Sequence, residues 1–138
     1  MAKDPASEAW SIVFQLAMAN RGRMVEALEK LDLTFMQAHA LRLLAPDEER
    51  TMGKLAATIK CDPSNITGIV DRLEARGLVE RRSAAHDRRV KALALTPAGV
   101  AMRERVFAVF GEPPAPIRGL ARADQLALRD ILRRAVAD

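Results

Sequence analysis

Two groups of side chains in this 138-residue sequence have the types and spacing to do chemistry. The first lies in Pro63–Arg76, where Ser64, Asn65, Thr67, Gly68 and Arg72 take the positions that a helix with one apolar stripe leaves outside. Serine, asparagine and threonine are short donors and acceptors that reach base edges or phosphate oxygens. A glycine among them permits close approach, and an arginine suits either target. The alternative is ordinary helix surface, although Ser64, Asn65, Thr67 and Gly68, four outward residues with no Lys or Glu among them, are unusual for one. Asp71 shares the face, and because a carboxylate repels phosphate it is better suited to orienting an arginine. The second group is Asp87, Arg88 and Arg89, at what reads as a hairpin tip. An arginine there can enter a narrow minor groove, where negative potential is concentrated. The alternative is that Asp87 and Arg89 only stabilise a turn.

Charge placement agrees with both groups. Between Arg72 and Lys91, seven cations meet three anions, a net of +4, which equals the net charge of the whole chain. The rest of the sequence is balanced, so this segment favours an anionic partner over a merely solvated face.

Other chemistries find little support. His39, Cys61 and His86 are scattered and do not form a metal-ligand spacing. There is no glycine-rich phosphate loop, no tyrosine and no Ser/His/Asp arrangement, so the chain does not read as an enzyme and implies no cofactor. A single cysteine rules out an internal disulfide framework and suits a reducing cytoplasm. Cys61 fits a small apolar turn residue, with Lys60 beside it able to lower the thiol pKa. His86 fits either a phosphate contact or a solvated loop. No run of eighteen apolar residues spans a membrane, and the N-terminus has no signal peptide.

The elements that must position these groups can be read from caps and periodicity. Asp62 and Pro63 start a helix whose Ile66, Ile69, Val70 and Leu73 form the apolar stripe, and Gly77 stops it. Leu78–Arg82 and Val90–Leu95 read as strands joined by a basic connector, Ser83–Arg89, the second strand by its alternation. Upstream, a long helix runs from about Pro5 to Lys30, with Trp10, Val13, Phe14, Ala17, Met24, Val25 and Leu28 on a wide apolar face. It is too long to be buried by its own chain, so part of it is expected to meet another subunit. Thr34-x-x-Gln37 is a capping box for a second helix carrying Phe35, Ala38, Leu41 and Leu44, which Pro46 and Asp47 end. Thr51 caps a short third helix with Leu55, Ala56 and Ile59. Two short helices joined so tightly form a helix-turn-helix. Thr96-Pro97 opens a fifth helix with Val100, Val106, Phe107, Val109 and Phe110, broken by Pro113, Pro114 and Pro116. Arg122–Ala137 is a sixth amphipathic helix with Ala121 where a cap is expected. The fold class is mainly α, one domain in the order α-α-α-α-β-β-α-α.

Several of these stretches, in order, resemble the MarR-type (multiple antibiotic resistance regulator) winged helix-turn-helix transcription factors. They are Leu33-Thr34-x-x-Gln37; Leu55-Ala56; Ser64-x-x-Thr67; Asp71-Arg72-Leu73-Glu74-x-x-Gly77-Leu78-Val79-x-Arg81; and the wing signature Asp87-x-Arg89-x-x-x-Leu93-x-Leu95-Thr96 followed by Gly99. The resemblance implies a cytoplasmic bacterial repressor that binds a pseudo-palindromic double-stranded DNA operator as a homodimer. It implies a winged DNA-binding lobe over about 33–96 and dimerisation helices over about 5–32 and 97–137. Helix 63–76 would lie in the major groove, and wing 83–90 in the minor groove, with the arginine matching Arg89 inserted and the aspartate matching Asp87 holding the wing. It also implies a small aromatic or phenolic effector between the first, second and fifth helices, where Trp10, Phe14, His39, Phe107 and Phe110 are candidates beside a plain core reading. Relatives that sense oxidants carry their cysteine near the first helix, whereas Cys61 lies in the helix-turn-helix turn. Two other classes remain: a winged helix that docks a protein, and a helical dimer that binds or converts a small molecule.

Overall fold

A computed structural model describes residues 4–60 and 63–137, the side chains of residues 63 and 64 excepted. The expected cap at Asp62, the turn residue Cys61 and the side chain of Ser64 lie outside the described residues. The chain runs α1 (Pro5–Glu29), α2 (Phe35–Leu43), β1 (Arg50–Thr51), α3 (Met52–Ile59), α4 (Pro63–Ala75), β2 (Val79–Ala84), β3 (Asp87–Leu95), α5 (Pro97–Gly111), α6 (Ala115–Arg118) and α7 (Arg122–Val136). Two short elements escaped the sequence reading. Strand β1 has only two residues and no alternation to display, and α6 sits among prolines that read as a break.

Four helices, α1, α2, α3 and α5, start at side-chain caps. Asp4 accepts the Ser7 N–H at 3.1 Å ahead of Pro5, Thr34 and Gln37 close a reciprocal capping box, Thr51 accepts from Lys54, and Thr96 from Gly99 at 3.0 Å. Gly99 has a second reason to be glycine: a Cβ there would lie 1.9 Å from the Leu78 carbonyl oxygen. Helix α7 begins without a side-chain cap at Ala121, as expected. The Gln125 amide instead donates back to the carbonyls of Arg118 and Leu120.

The core joins the middle of the chain to the C-terminal end of α1 and to α5. Leu28, Leu41, Leu44, Leu55, Ile66, Val70, Leu73, Leu93 and Val106 are fully buried together. The α4 stripe therefore packs as its spacing dictates, with Ile69 only half-buried. The sheet is antiparallel in the order β1-β3-β2, with Arg50 opposite Leu93 on one side of β3 and Val79 opposite Leu95 on the other. The alternation of β3 disappears from Ala92 to Leu95, where all four residues are buried and the strand is therefore covered on both faces.

Long apolar side chains stay outside this core at the two ends of the chain. On α1 only Leu28 is buried, while Trp10, Ile12, Val13, Phe14 and Met18 are exposed. No residue of α7 is buried, and Leu126, Ile131, Leu132 and Val136 are exposed.

Candidate nucleic-acid interface

Helix α4 buries Ile66, Val70 and Leu73 and turns Asn65, Thr67, Gly68, Asp71 and Arg72 outward. Asn65, Gly68 and Arg72 line one open cleft with Thr34 and Gln37 from the start of α2. Thr67 instead borders the α3 side, beside Gly53, Ala57 and Lys60. The face is thus two strips, one edged by α2 and one by α3, with no large apolar residue exposed between them among the described side chains.

Asp71 does what its charge suggests. Its Oδ1 accepts from Arg81 Nη2, and Glu74 Oε1 accepts from Arg81 Nη1 at 2.8 Å, so two carboxylates of α4 grip one guanidinium of β2. The hydrogen bond that Arg81 donates to Asp71, helped by the charge of Glu74, raises the Arg81 pKa above its ordinary value. From the sequence, Arg81 is one charge among seven and a position in the family-like motif, and Asp71 is expected to orient an arginine that is not specified. The missing signal was the register that brings β2 back along α4.

The hairpin is longer and its turn tighter than expected. Strand β2 reaches Ala84 and β3 starts at Asp87, so the connector shrinks from seven residues to Ala85 and His86, with an irregular register between Ser83 and Ala84. Arg88 and Arg89 consequently lie in the first turnward residues of β3, not in a loop. Asp87 Oδ1 accepts the Arg89 backbone N–H at 3.0 Å. This holds the backbone and leaves the guanidinium outside the bond. Among the described residues, Arg88, Arg89 and Lys91 are exposed and have no carboxylate partner. Arg82, by contrast, is shared between Glu49 and Glu80. Positive charge on the wing is therefore concentrated near its turn.

The five aromatic-cavity candidates do not come together as one group. Trp10 and Phe14 contact each other at 6.5 Å, on exposed α1. His39 stacks on Phe35 at 6.1 Å, and Phe35 meets Phe110 edge-on at 5.7 Å. Phe107 lies under the Arg103 guanidinium, and Phe110 under that of Arg42. The sequence reading grouped Phe35 with Ala38, Leu41 and Leu44, yet Phe35 is 46% exposed while those three are buried. It also overlooked both arginines. Arg103 Nε is buried with no hydrogen-bond partner, while its Nη2 donates to the Arg42 carbonyl. Burial first, then the Arg42 charge, holds the His39 pKa below the ordinary histidine value. No group of three or more metal-ligating side chains converges among the described residues, and no described helix is long and apolar enough to cross a membrane.

Residues 31–90 match the model of the MarR family. Over 95 residues, 69% of this chain, the sequence is 30% identical to the organic hydroperoxide resistance transcriptional regulator of Bacillus subtilis (strain 168), and it spans 62% of that protein's length. Among solved structures, wild-type MarR from E. coli in its apo form is similar over 99% of this chain and 100% of its own, at TM-score 0.83 and 22% identity. A point mutant of S. aureus MepR bound to an oligodeoxyribonucleotide is similar over 97% of both chains, at TM-score 0.67 and 20% identity. The winged fold is shared along nearly the full length, and the family match covers the lobe that carries α4 and the wing. Residues 31–90 thus carry the match to the MarR family, on a winged fold that the chain shares with MarR and MepR.

Proposed function

We propose that this protein is a sequence-specific DNA-binding transcriptional regulator, a ligand-responsive repressor that grips a pseudo-palindromic operator as a homodimer. The observation that carries this reading is the pairing of a polar α4 face (Asn65, Thr67, Gly68, Arg72) with a wing whose Arg88 and Arg89 have no carboxylate partner among the described residues. Helix 63–76 would enter the major groove, and wing 83–90 the flanking minor groove, with Asp87 bracing the backbone from which Arg89 reaches. The MepR relative bound to an oligodeoxyribonucleotide supports the choice of polyanion. Residues of about 5–32 and 97–137 would pair the two subunits, since the exposed apolar rows of α1 and α7 need a cover. Recognition helices related by a two-fold would then sit about 34–36 Å apart, reading half-sites roughly 10 bp from centre to centre. An aromatic or phenolic effector would bind against Phe35, His39, Phe107 and Phe110, where Arg42 and Arg103 favour an anionic one.

The test is fluorescence anisotropy with duplex DNA from upstream of the protein's own gene against scrambled DNA, across a salt series. A specific reader prefers the first by about a thousandfold or more, with a steep log–log salt slope. Equal, weak binding to both would turn attention to protein docking.

A further inference from the structure

Helices α1 and α4 end in the same way. At the end of α1, Leu33 N–H donates to the Leu28 carbonyl at 3.0 Å and Asp32 N–H to Glu29 at 2.9 Å, with Asp32 in the left-handed region at φ 55. At the end of α4, Leu78 N–H donates to Leu73 at 3.0 Å and Gly77 N–H to Glu74 at 2.9 Å, with Gly77 at φ 71. Both are Schellman terminations, and in each the hydrophobic pair that closes the motif (Leu28 with Leu33, Leu73 with Leu78) is buried in the core. Such an ending still leaves carbonyls facing outward at the negative end of the helix dipole.

One side chain joins the two. Arg76, immediately after α4, donates from Nη2 to the Leu31 carbonyl at 3.0 Å and from Nη1 to the Asp32 carbonyl. Its cation thus lies between two helix C-termini and holds with two bonds a turn that a non-glycine residue adopts reluctantly. The same guanidinium forms one wall of an open cleft with Glu29, Asp32, Thr34, Gln37 and Arg72. Two carboxylates of α4 already tie it to the wing through Arg81, so Arg76 completes a chain of contacts from α1 through α4 to β2.

We infer that Arg76 is a positioning residue, which fixes the recognition helix to the end of the long helix α1 and thereby sets the distance between the two half-sites a dimer reads. The inference rests on the DNA-reading function proposed above. Arg76 need not touch DNA for this. Without the clamp, α4 would keep its own cap at Gly77 and its core stripe, but its angle to α1 would be held by apolar packing alone.

The experiment uses the full chain, a duplex that the wild-type protein selects from a random pool, and two versions of it with one base pair added or removed at the centre. Anisotropy titrations compare wild type, Arg76→Gln and Arg76→Lys on all three, with thermal melting alongside. Arg76→Gln is expected to lose about tenfold in affinity for the selected duplex, within the range by which coupling residues act. It should lose little for the altered spacings, so that discrimination between them collapses. Arg76→Lys, with one ammonium for two carbonyls, should fall in between. A purely structural role would lower the melting temperature and weaken all three duplexes by one factor; unchanged discrimination in Arg76→Gln overturns the inference and leaves the DNA reading intact. Failure of the wild type to select any duplex overturns the DNA reading, and the inference with it.

Discussion

At the scale of single residues, the wing separates bracing from contact. Asp87 spends its carboxylate on the Arg89 backbone, so the two residues should fail differently when changed. Arg89→Ala is expected to weaken specific DNA binding by roughly 1–3 kcal/mol, in the range of a lost groove contact, with an unchanged melting temperature. Equal affinity for mutant and wild type in the same titration would remove the wing from the mechanism. His39 makes a prediction about pH. Its folded-state pKa lies below 6.5, so the unfolded chain takes up a proton first as the solution is acidified. The stability held by neutral His39 is thus complete above 6.5 and is lost as pH falls from there through the lower folded-state pKa. Melting curves between pH 7.5 and 5.5 should show a decline that His39→Gln reduces; an identical slope in the variant would assign the decline to other groups.

Among elements, the tightest constraint is where α5 begins. Its first turn lies against the chain leaving α4: Thr96 N–H donates to the Leu78 carbonyl at 3.1 Å, and Gly99 has no room for a Cβ beside that oxygen. Gly99→Ala should destabilise the fold by about 1–3 kcal/mol, as overpacking does, measured by urea denaturation. No change would mean the two segments part easily. Lys60 presents the opposite case: it ends α3 with φ 60 and ψ 46, a left-handed conformation that glycine adopts freely. Lys60→Gly should therefore cost nothing or raise the midpoint slightly, and a clear drop would show that the lysine side chain carries an interaction of its own. These elements also show where sequence reading works and where it stops. Caps at Thr34, Thr51 and Thr96 and the stop at Gly77 are local chemistry, so they were legible without a structure. The extent of the hairpin, strand β1 and the burial of both faces of β3 depend on pairing between distant segments, which local pattern does not encode. For the same reason the outward residues of α4 could be named in advance, whereas the partners of Arg81, Arg76 and Arg103 could not.

For the whole molecule, the core belongs to the middle of the chain, and the two terminal helices carry apolar rows that the chain itself does not cover. If a second copy covers them, Phe14→Glu should shift the protein toward monomer in sedimentation velocity while leaving the helical circular dichroism of the lobe in place. A dimer that persists at low micromolar concentration would move the interface elsewhere. The segregation also has a genetic consequence. Subunits damaged only on α4 or the wing would keep their terminal helices intact and pair with normal copies, disarming them. Alleles such as Arg89→Ala should therefore be dominant over the wild-type gene in a cell that expresses both. Alleles that spoil the apolar rows, such as Phe14→Glu, should be recessive, because their products cannot engage a normal partner.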